Sequence, residues 1–140
     1  MTYLDSRILV KLFVNESDSP QWQTKLAGVT NLASSALLLP EAPCALRQKA
    51  MGRLITGAGM SRIWTLIQQI TFDGMIKVYP IGSDVIDASV QIINSLSKGI
   101  ALRTLDAIHL ATAQLIGASG VATTDARMRA AAIDLSIPLL

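Results

Sequence analysis

Short apolar runs alternate along this chain with longer segments whose apolar residues recur every three or four positions. The opening run ends at Leu4, and in the next segment Ile8, Leu9 and Leu12 fall on one helical face. The same alternation predicts helices separated by five short strands, at residues 2–5, 31–34, 75–79, 121–124 and 137–140.

Strands that are separated by helices indicate a parallel sheet with helices on both faces. We therefore expect an α/β fold with three layers, α/β/α, built on a small parallel sheet of four to five strands. No linker, internal repeat or low-complexity segment interrupts the chain, so residues 1–140 are expected to form a single domain. In such sheets ligands bind beyond the carboxyl ends of the strands.

The composition is unusually apolar for a chain of this length. Hydrophobic residues make up 51% of the 140 residues. A small domain cannot bury so much apolar surface by itself, so we expect a homodimer or a partner protein to cover part of it.

Compartment is predicted from what the sequence lacks. The longest uncharged run, residues 107–124, is interrupted by Gly117 and Gly120 and is not expected to span a membrane. No basic segment followed by an apolar one opens the chain, so no signal peptide is expected. The one cysteine, Cys44, cannot form an internal disulfide and suits a reducing compartment. We expect a cytoplasmic protein.

Four carboxylates lie where the pattern predicts the beginnings of helices: Asp5, Glu41, Asp106 and Asp125. Each one alone is explained as a helix cap or as a first-turn acid that the helix dipole favours. Parallel topology, however, places such ends at one edge of the sheet. Carboxylates about 4 Å apart would repel by about 4 kcal/mol per pair at an effective dielectric near 20, and a bound cation would offset that repulsion.

The predicted ligand set consists of oxygen atoms, which favours Mg²⁺ or Mn²⁺ over Zn²⁺. Such an ion activates water and neutralises charge on a phosphodiester during in-line displacement. The net charge is +2, and the chain outside the four acids is mildly basic, which suits a polyanionic substrate but is also typical of a routine soluble surface. Spacing alone does not distinguish a nuclease from a phosphatase.

Three segments carry a family resemblance. The opening residues 3–14 (YLDSRILVKLFV), the central residues 102–111 (LRTLDAIHLA) and the late residues 121–125 (VATTD) resemble the acidic motifs of PIN-domain proteins. Their order and the chain length are similar to those of VapC-type toxins from VapBC toxin–antitoxin systems. The resemblance covers essentially the whole chain.

The resemblance implies a Mg²⁺-dependent endoribonuclease that leaves 5′-phosphate and 3′-hydroxyl ends, is commonly dimeric and is inhibited by a cognate antitoxin. It implies that Ser6 and Thr123 are supporting hydroxyls near the metal. The implied metal-holding catalytic acids are Asp5, Glu41, Asp106 and Asp125.

The chain departs from the family pattern in two places. Arg7 stands where the family usually has a small polar residue, so it either grips a phosphate or pairs with an acid and competes with the metal. Pro40 and Pro43 flank Glu41, and a proline inside a helix costs about 3 kcal/mol. The helix is therefore expected to begin later or to kink. An alternative function follows, namely a catalytically impaired module that binds RNA or a protein.

Other residues receive weaker assignments. Arg7, Lys11 and Arg103 are candidate RNA contacts. His109 shares a helix face with Asp106 and is interpreted as a packed, hydrogen-bonded histidine rather than a catalytic base. Cys44 is interpreted as a small core residue. A phosphoacceptor receiver domain also has acids at strand ends, but it needs adjacent early acids and a late lysine that this sequence lacks.

Overall fold

The computed structural model describes residues 1–140. The strands are β1 (Thr2–Leu4), β2 (Leu32–Ser35), β3 (Ile76–Tyr79) and β4 (Gly120–Ala122). The helices are α1 (Ser6–Phe13), α2 (Ser19–Leu26), α3 (Leu38–Met51), α4 (Gly57–Phe72), α5 (Ser83–Ser95), α6 (Thr104–Leu115) and α7 (Ala126–Asp134). All strand pairs are parallel, in the order β3-β2-β1-β4. The predicted α/β fold, with a small parallel sheet flanked by helices, is confirmed.

Two apolar clusters divide the core, one on each face of the sheet. Tyr3 and Val121 belong to the cluster that includes residues of α5, α6 and α7. Their neighbours Leu4 and Ala122 belong to the other cluster, which is formed with α1, α2, α3 and α4. Successive strand residues point to opposite faces, so this alternation produces the three layers.

Pairing of β1 with β4 places two strand ends side by side. Leu4 is in register with Ala122, and the amide of Asp5 donates to the carbonyl of Ala122 at 3.0 Å. The residues that follow these two strands therefore lie together at the carboxyl edge of the sheet, where α1 and α7 begin.

Helix α3 accommodates both prolines. It begins at Leu38, so Pro40 lies in the first turn, where the missing amide has no partner within the helix. The amide of Glu41 donates to the carbonyl of Leu37 at 3.0 Å. Pro43 lies inside the helix and removes one hydrogen bond, yet the helix continues to Met51. Of the two expected alternatives, a later helix start was wrong, and a kink stays a prediction.

The predicted fifth strand at 137–140 was also wrong. Only a single bridge joins Val121 to Leu139. Val121 donates to the carbonyl of Pro138 at 2.8 Å, and Leu140 donates to the carbonyl of Val121 at 3.0 Å. Pro138 has no amide hydrogen to extend the ladder.

Twelve large apolar side chains remain exposed. They include Phe72 at 88% and Met75 at 62%, beside β3, and a stripe on α5 formed by Ile86, Val90 and Ile93. No helix combines the length and the apolar character that a membrane crossing requires.

Candidate metal centre

An acidic pocket opens at the carboxyl edge of the sheet. Asp5 follows β1, Glu41 lies in the first turn of α3, and Asp106 and His109 lie on successive turns of α6. The pocket is lined by Asp5, Ser6, Arg7, Glu41, Cys44, Ala45, Gln48, Arg103, Thr104, Leu105, Asp106 and His109. Three of the four predicted acids thus line one pocket.

Asp5 is buried, and protein groups fix both of its oxygens. Oδ1 accepts the amide of Arg7 at 3.1 Å, which caps α1, and Oδ2 accepts the Thr123 hydroxyl at 2.8 Å. The hydroxyl of Thr123 also accepts the amide of Asp125 at 3.1 Å. Asp5 is therefore both a helix cap and an oriented carboxylate, so the structural and the functional interpretations of this residue are compatible.

The Glu41 carboxylate is anchored through a single oxygen. Its Oε2 accepts the Ser6 hydroxyl at 2.7 Å and lies 2.8 Å from Nε2 of His109. Burial raises the pKa of the Glu41 carboxyl, but the hydrogen bonds from His109 and Ser6 outweigh burial, so its pKa lies below the ordinary value. Glu41 is thus held as an anion, with Oε1 bound by no protein donor.

Asp106 differs from the other acids of the pocket in the surroundings of one of its oxygens. Its Oδ2 is buried and has no hydrogen-bond partner. Burial, and next the negative charges of Asp125 and Asp5, raise the pKa of the Asp106 carboxyl despite the nearby Arg103. Burying a carboxylate oxygen without a partner costs free energy, and a bound cation would offset that cost.

Asp125 lies at the edge of this cluster and has partners on both oxygens. Oδ1 caps α7 by accepting the amides of Arg127 at 2.9 Å and Met128 at 3.2 Å. Oδ2 pairs with Nη1 of Arg7 at 3.3 Å. Of the two roles considered for Arg7, the structure therefore realises the pairing with an acid.

The remaining predicted residues divide between the pocket and its surroundings. Arg103 is exposed at the pocket wall. Lys11 lies outside the pocket and pairs with Asp18 at 2.6 Å and Glu16 at 3.1 Å. Cys44 is exposed at the pocket wall, so its interpretation as a core residue was wrong. The helical period of α3 turns Ala42 and Leu46 inward and Cys44 outward.

The residues present fit a divalent cation. One potential ligand atom each from Asp5, Glu41 and His109 lie within 4.8 Å of one another. Asp106 lies outside this group of three, but it lines the same pocket, and its buried Oδ2 has no hydrogen-bond partner there. A set dominated by carboxylates suits a hard cation such as Mg²⁺ or Mn²⁺.

Sequence reasoning missed Tyr3 and Ser35, two polar residues that lie behind His109. Tyr3 is fully buried, and its hydroxyl lies 2.6 Å from Nδ1 of His109. The hydroxyl also accepts the backbone amide of Ser35 at 3.1 Å. The spacing of Asp106 and His109 was a usable signal for a shared face, but no local pattern indicates that β1 supplies a partner for the histidine.

Comparisons with known proteins agree with this architecture. The PIN-domain model matches residues 2–134. Among solved structures, VapC20 of Mycobacterium tuberculosis, described as a sarcin–ricin loop cleaving toxin, has a TM-score of 0.73 at 13% identity, over 94% of this chain and 95% of its own.

Two further structures show the same fold. A toxin–antitoxin complex from Klebsiella pneumoniae matches with a TM-score of 0.63 at 20% identity, over 89% of this chain and 87% of its own. FitAcB from Neisseria gonorrhoeae matches with a TM-score of 0.68 at 17% identity, over 100% of this chain and 96% of its own. No curated protein matches the chain. The family model spans nearly the whole sequence, and the chain belongs to the PIN-domain family.

Proposed function

We propose that the chain acts as a single PIN domain with divalent-metal-dependent endoribonuclease activity, using Mg²⁺ or, as a substitute, Mn²⁺. The observation that carries this proposal is the unpaired, buried Oδ2 of Asp106 in the pocket that Asp5 and Glu41 also line. A fold has no structural need for such an oxygen, and a cation bound there would supply the missing partner.

The side chains of the pocket have distinct proposed roles. Asp5, Glu41 and Asp106 would hold the cation, while Thr123 and Ser6 orient the first two through hydrogen bonds of 2.8 and 2.7 Å. A divalent ion held there supplies activation of water and charge neutralisation on a phosphodiester. Asp125 would join this set after its pairing with Arg7 is released.

RNA is the proposed substrate because the pocket combines acids with exposed cations. Arg103 and Arg7 are exposed at its wall. Arg103 can contact a backbone phosphate directly, and Arg7 can do so once its contact with Asp125 is released. Lys11 is less suited, since Glu16 and Asp18 already neutralise its ammonium group. The description of the similar VapC20 as a sarcin–ricin loop cleaving toxin supports a nuclease.

An antitoxin and a second copy of the chain are the proposed protein partners, in the cytoplasm. The support is the exposed apolar surface around Phe72, Met75 and the α5 stripe, together with the similarity to a chain from a toxin–antitoxin complex. Expression of the chain alone should arrest growth or give poorly soluble protein, and coexpression with the product of the adjacent gene should restore both. Normal growth with abundant soluble protein would contradict the proposal.

A catalytically impaired binding module is the second candidate. The observation that favours it is the contact between Arg7 and Asp125, which places a cation beside the acids. Metal-dependent melting separates the two candidates, because a ligand that binds only the folded state raises its stability by mass action. The nuclease proposal predicts a melting temperature that rises through millimolar Mg²⁺ or Mn²⁺, together with cleavage of RNA. A flat response would favour the impaired module.

A further inference from the structure

A buried chain of hydrogen bonds leads from the sheet to the Glu41 carboxylate. The amide of Ser35, in β2, donates to the hydroxyl oxygen of Tyr3, in β1, at 3.1 Å. That hydroxyl lies 2.6 Å from Nδ1 of His109, and Nε2 of the same ring lies 2.8 Å from Oε2 of Glu41. Tyr3 and His109 are 0% and 2% exposed, so water does not compete for these contacts.

The Glu41 carboxylate can only accept, so the hydrogen bond at Nε2 of His109 runs from the ring to Glu41. The Tyr3 oxygen accepts the Ser35 amide, so its own hydrogen is free to donate to Nδ1 of His109. An imidazole nitrogen that accepts leaves the other nitrogen protonated. Nε2 of His109 therefore donates to Glu41.

Because of this direction, His109 does not act as a metal ligand as the acids near it are proposed to do. A protonated Nε2 cannot bind a cation, although the nitrogen lies among the potential ligand atoms of Asp5 and Glu41. Instead, Nε2 and the Ser6 hydroxyl together hold Oε2 of Glu41 and leave Oε1 available. Side chains behind metal ligands orient them in this way in many proteins.

We propose that Tyr3 and His109 are positioning residues that orient Glu41 for metal binding, and this inference rests on the proposed function. A purely packing role would be served as well by apolar side chains, because burying polar groups costs free energy unless each is paired. The rings of Tyr3 and His109 meet edge to face, with centroids 5.8 Å apart, so the contact also fixes the plane of the imidazole.

The test compares Mn²⁺ affinity, measured by calorimetry, in chelator-treated wild type, His109→Gln, His109→Leu and Tyr3→Phe. Glutamine places an amide donor close to the position of Nε2, whereas leucine provides none. His109→Gln should bind Mn²⁺ within about threefold of wild type, and His109→Leu should bind about 10-fold or more weakly. Tyr3→Phe should weaken binding at least about threefold, because Nδ1 of His109 loses the hydroxyl that holds the ring in place.

A structural role alone gives a different pattern. If the folded variants all bind Mn²⁺ like wild type, or if glutamine and leucine weaken binding equally, the inference is overturned. Introducing His109→Leu into Glu41→Ala should change Mn²⁺ affinity no further, and an unchanged 10-fold effect there would also overturn it. Melting in chelator identifies the folded variants, and Tyr3→Phe decides the question where His109→Leu does not fold.

Failure of the proposed function is distinguishable from failure of this inference. If the wild type binds no Mn²⁺, the proposed function fails and the inference falls with it. If the wild type binds Mn²⁺ and Glu41→Ala weakens that binding while the His109 and Tyr3 variants remain normal, only the inference fails.

Discussion

Nη1 of Arg7 lies 3.3 Å from Oδ2 of Asp125, at the edge of the sheet where α1 follows β1 and α7 follows β4. The other oxygen of Asp125 caps α7. Asp125 is thus satisfied by the protein itself, in contrast to Asp106, whose buried Oδ2 has no partner. We therefore expect the arginine to limit how available Asp125 is to the proposed metal.

Replacement of Arg7 by serine should strengthen metal binding. Loss of an exposed pair with the 55% exposed Arg7 side chain involves about 1 kcal/mol or less, so Mn²⁺ affinity should rise by up to about fivefold. KM for RNA should rise as well, because a candidate phosphate contact is lost. Calorimetry and steady-state kinetics measure the two effects, and Arg7→Lys, which keeps the charge, is the control. Weaker Mn²⁺ binding by Arg7→Ser than by Arg7→Lys would contradict this role.

Asp106→Asn should stabilise the metal-free protein while removing its activity. The raised pKa of Asp106 means that its ionised form destabilises the fold at neutral pH. In chelator the variant should melt about 1–3 °C higher than wild type, and the difference should close as the pH falls through that raised pKa. RNA cleavage should fall about 100-fold or more. A variant that melts lower and still cleaves would show that Asp106 is structural.

The ion cluster of Lys11, Glu16, Asp18 and Lys49 should make stability depend on acid pH. Lys11 is 14% exposed and joins Glu16 and Asp18, while Lys49 pairs with Glu16 at 2.9 Å. Burial raises the pKa of Glu16, but hydrogen bonds from Lys49 and Lys11 outweigh it and place the pKa below 4.5. A hydrogen bond from Lys11 likewise lowers the pKa of Asp18 below 3.8.

Groups with lowered pKa values stabilise the fold above their unfolded pKa, and this contribution is lost as the pH falls through the folded value. Lys11→Met should therefore cost about 1–2 kcal/mol at pH 7 and much less at acid pH, below the pKa values of Glu16 and Asp18. Denaturant unfolding at several pH values measures the difference. An equal cost at neutral and acid pH would mean that packing of the lysine stem, rather than its charge, is responsible.

Phe72 and Ile67 offer a matched test of the exposed apolar surface, since both lie on α4. Phe72 is 88% exposed, and Phe72→Ser should change the free energy of unfolding by less than about 0.5 kcal/mol while weakening partner binding. Ile67 is fully buried, and Ile67→Ala should cost about 2–5 kcal/mol. Urea unfolding and copurification with the coexpressed product of the adjacent gene, the proposed antitoxin, measure the two effects. Retained copurification by Phe72→Ser would exclude this ring from the partner surface.

The sequence was sufficient to predict the three layers of the fold and the positions of two helix caps. Alternating strand and helix periods identified the sheet, and Asp5 and Asp125 do cap helices after adjacent strands. The position of Glu41 was harder to predict, because two prolines obscured where α3 begins. The expected strand at 137–140 is only a bridge, because Pro138 has no amide hydrogen to donate. The strand was predicted from the apolar residues alone, without weighing the proline.

Long-range polar partners were beyond local patterns. Tyr3 and His109 are 106 residues apart in sequence, and only the folded sheet brings β1 against α6. The same is true of Ser6 with Glu41 and of Arg7 with Asp125, which join segments 35 and 118 residues apart. Motifs identify which side chains carry chemistry, whereas the hydrogen bonds that orient them depend on tertiary packing.

The most direct test of the proposed nuclease site compares metal-dependent cleavage of an RNA pool by the wild type and by Asp5→Asn. Asparagine keeps the oxygen that caps α1 and removes the charge, so the helix should be preserved. If the pocket is a metal-dependent nuclease site, wild type cleaves RNA with Mg²⁺ or Mn²⁺ and stops in chelator, while the folded variant does not cleave. Equal cleavage by both proteins would contradict this assignment, because Asp5 would then be a helix cap and nothing more.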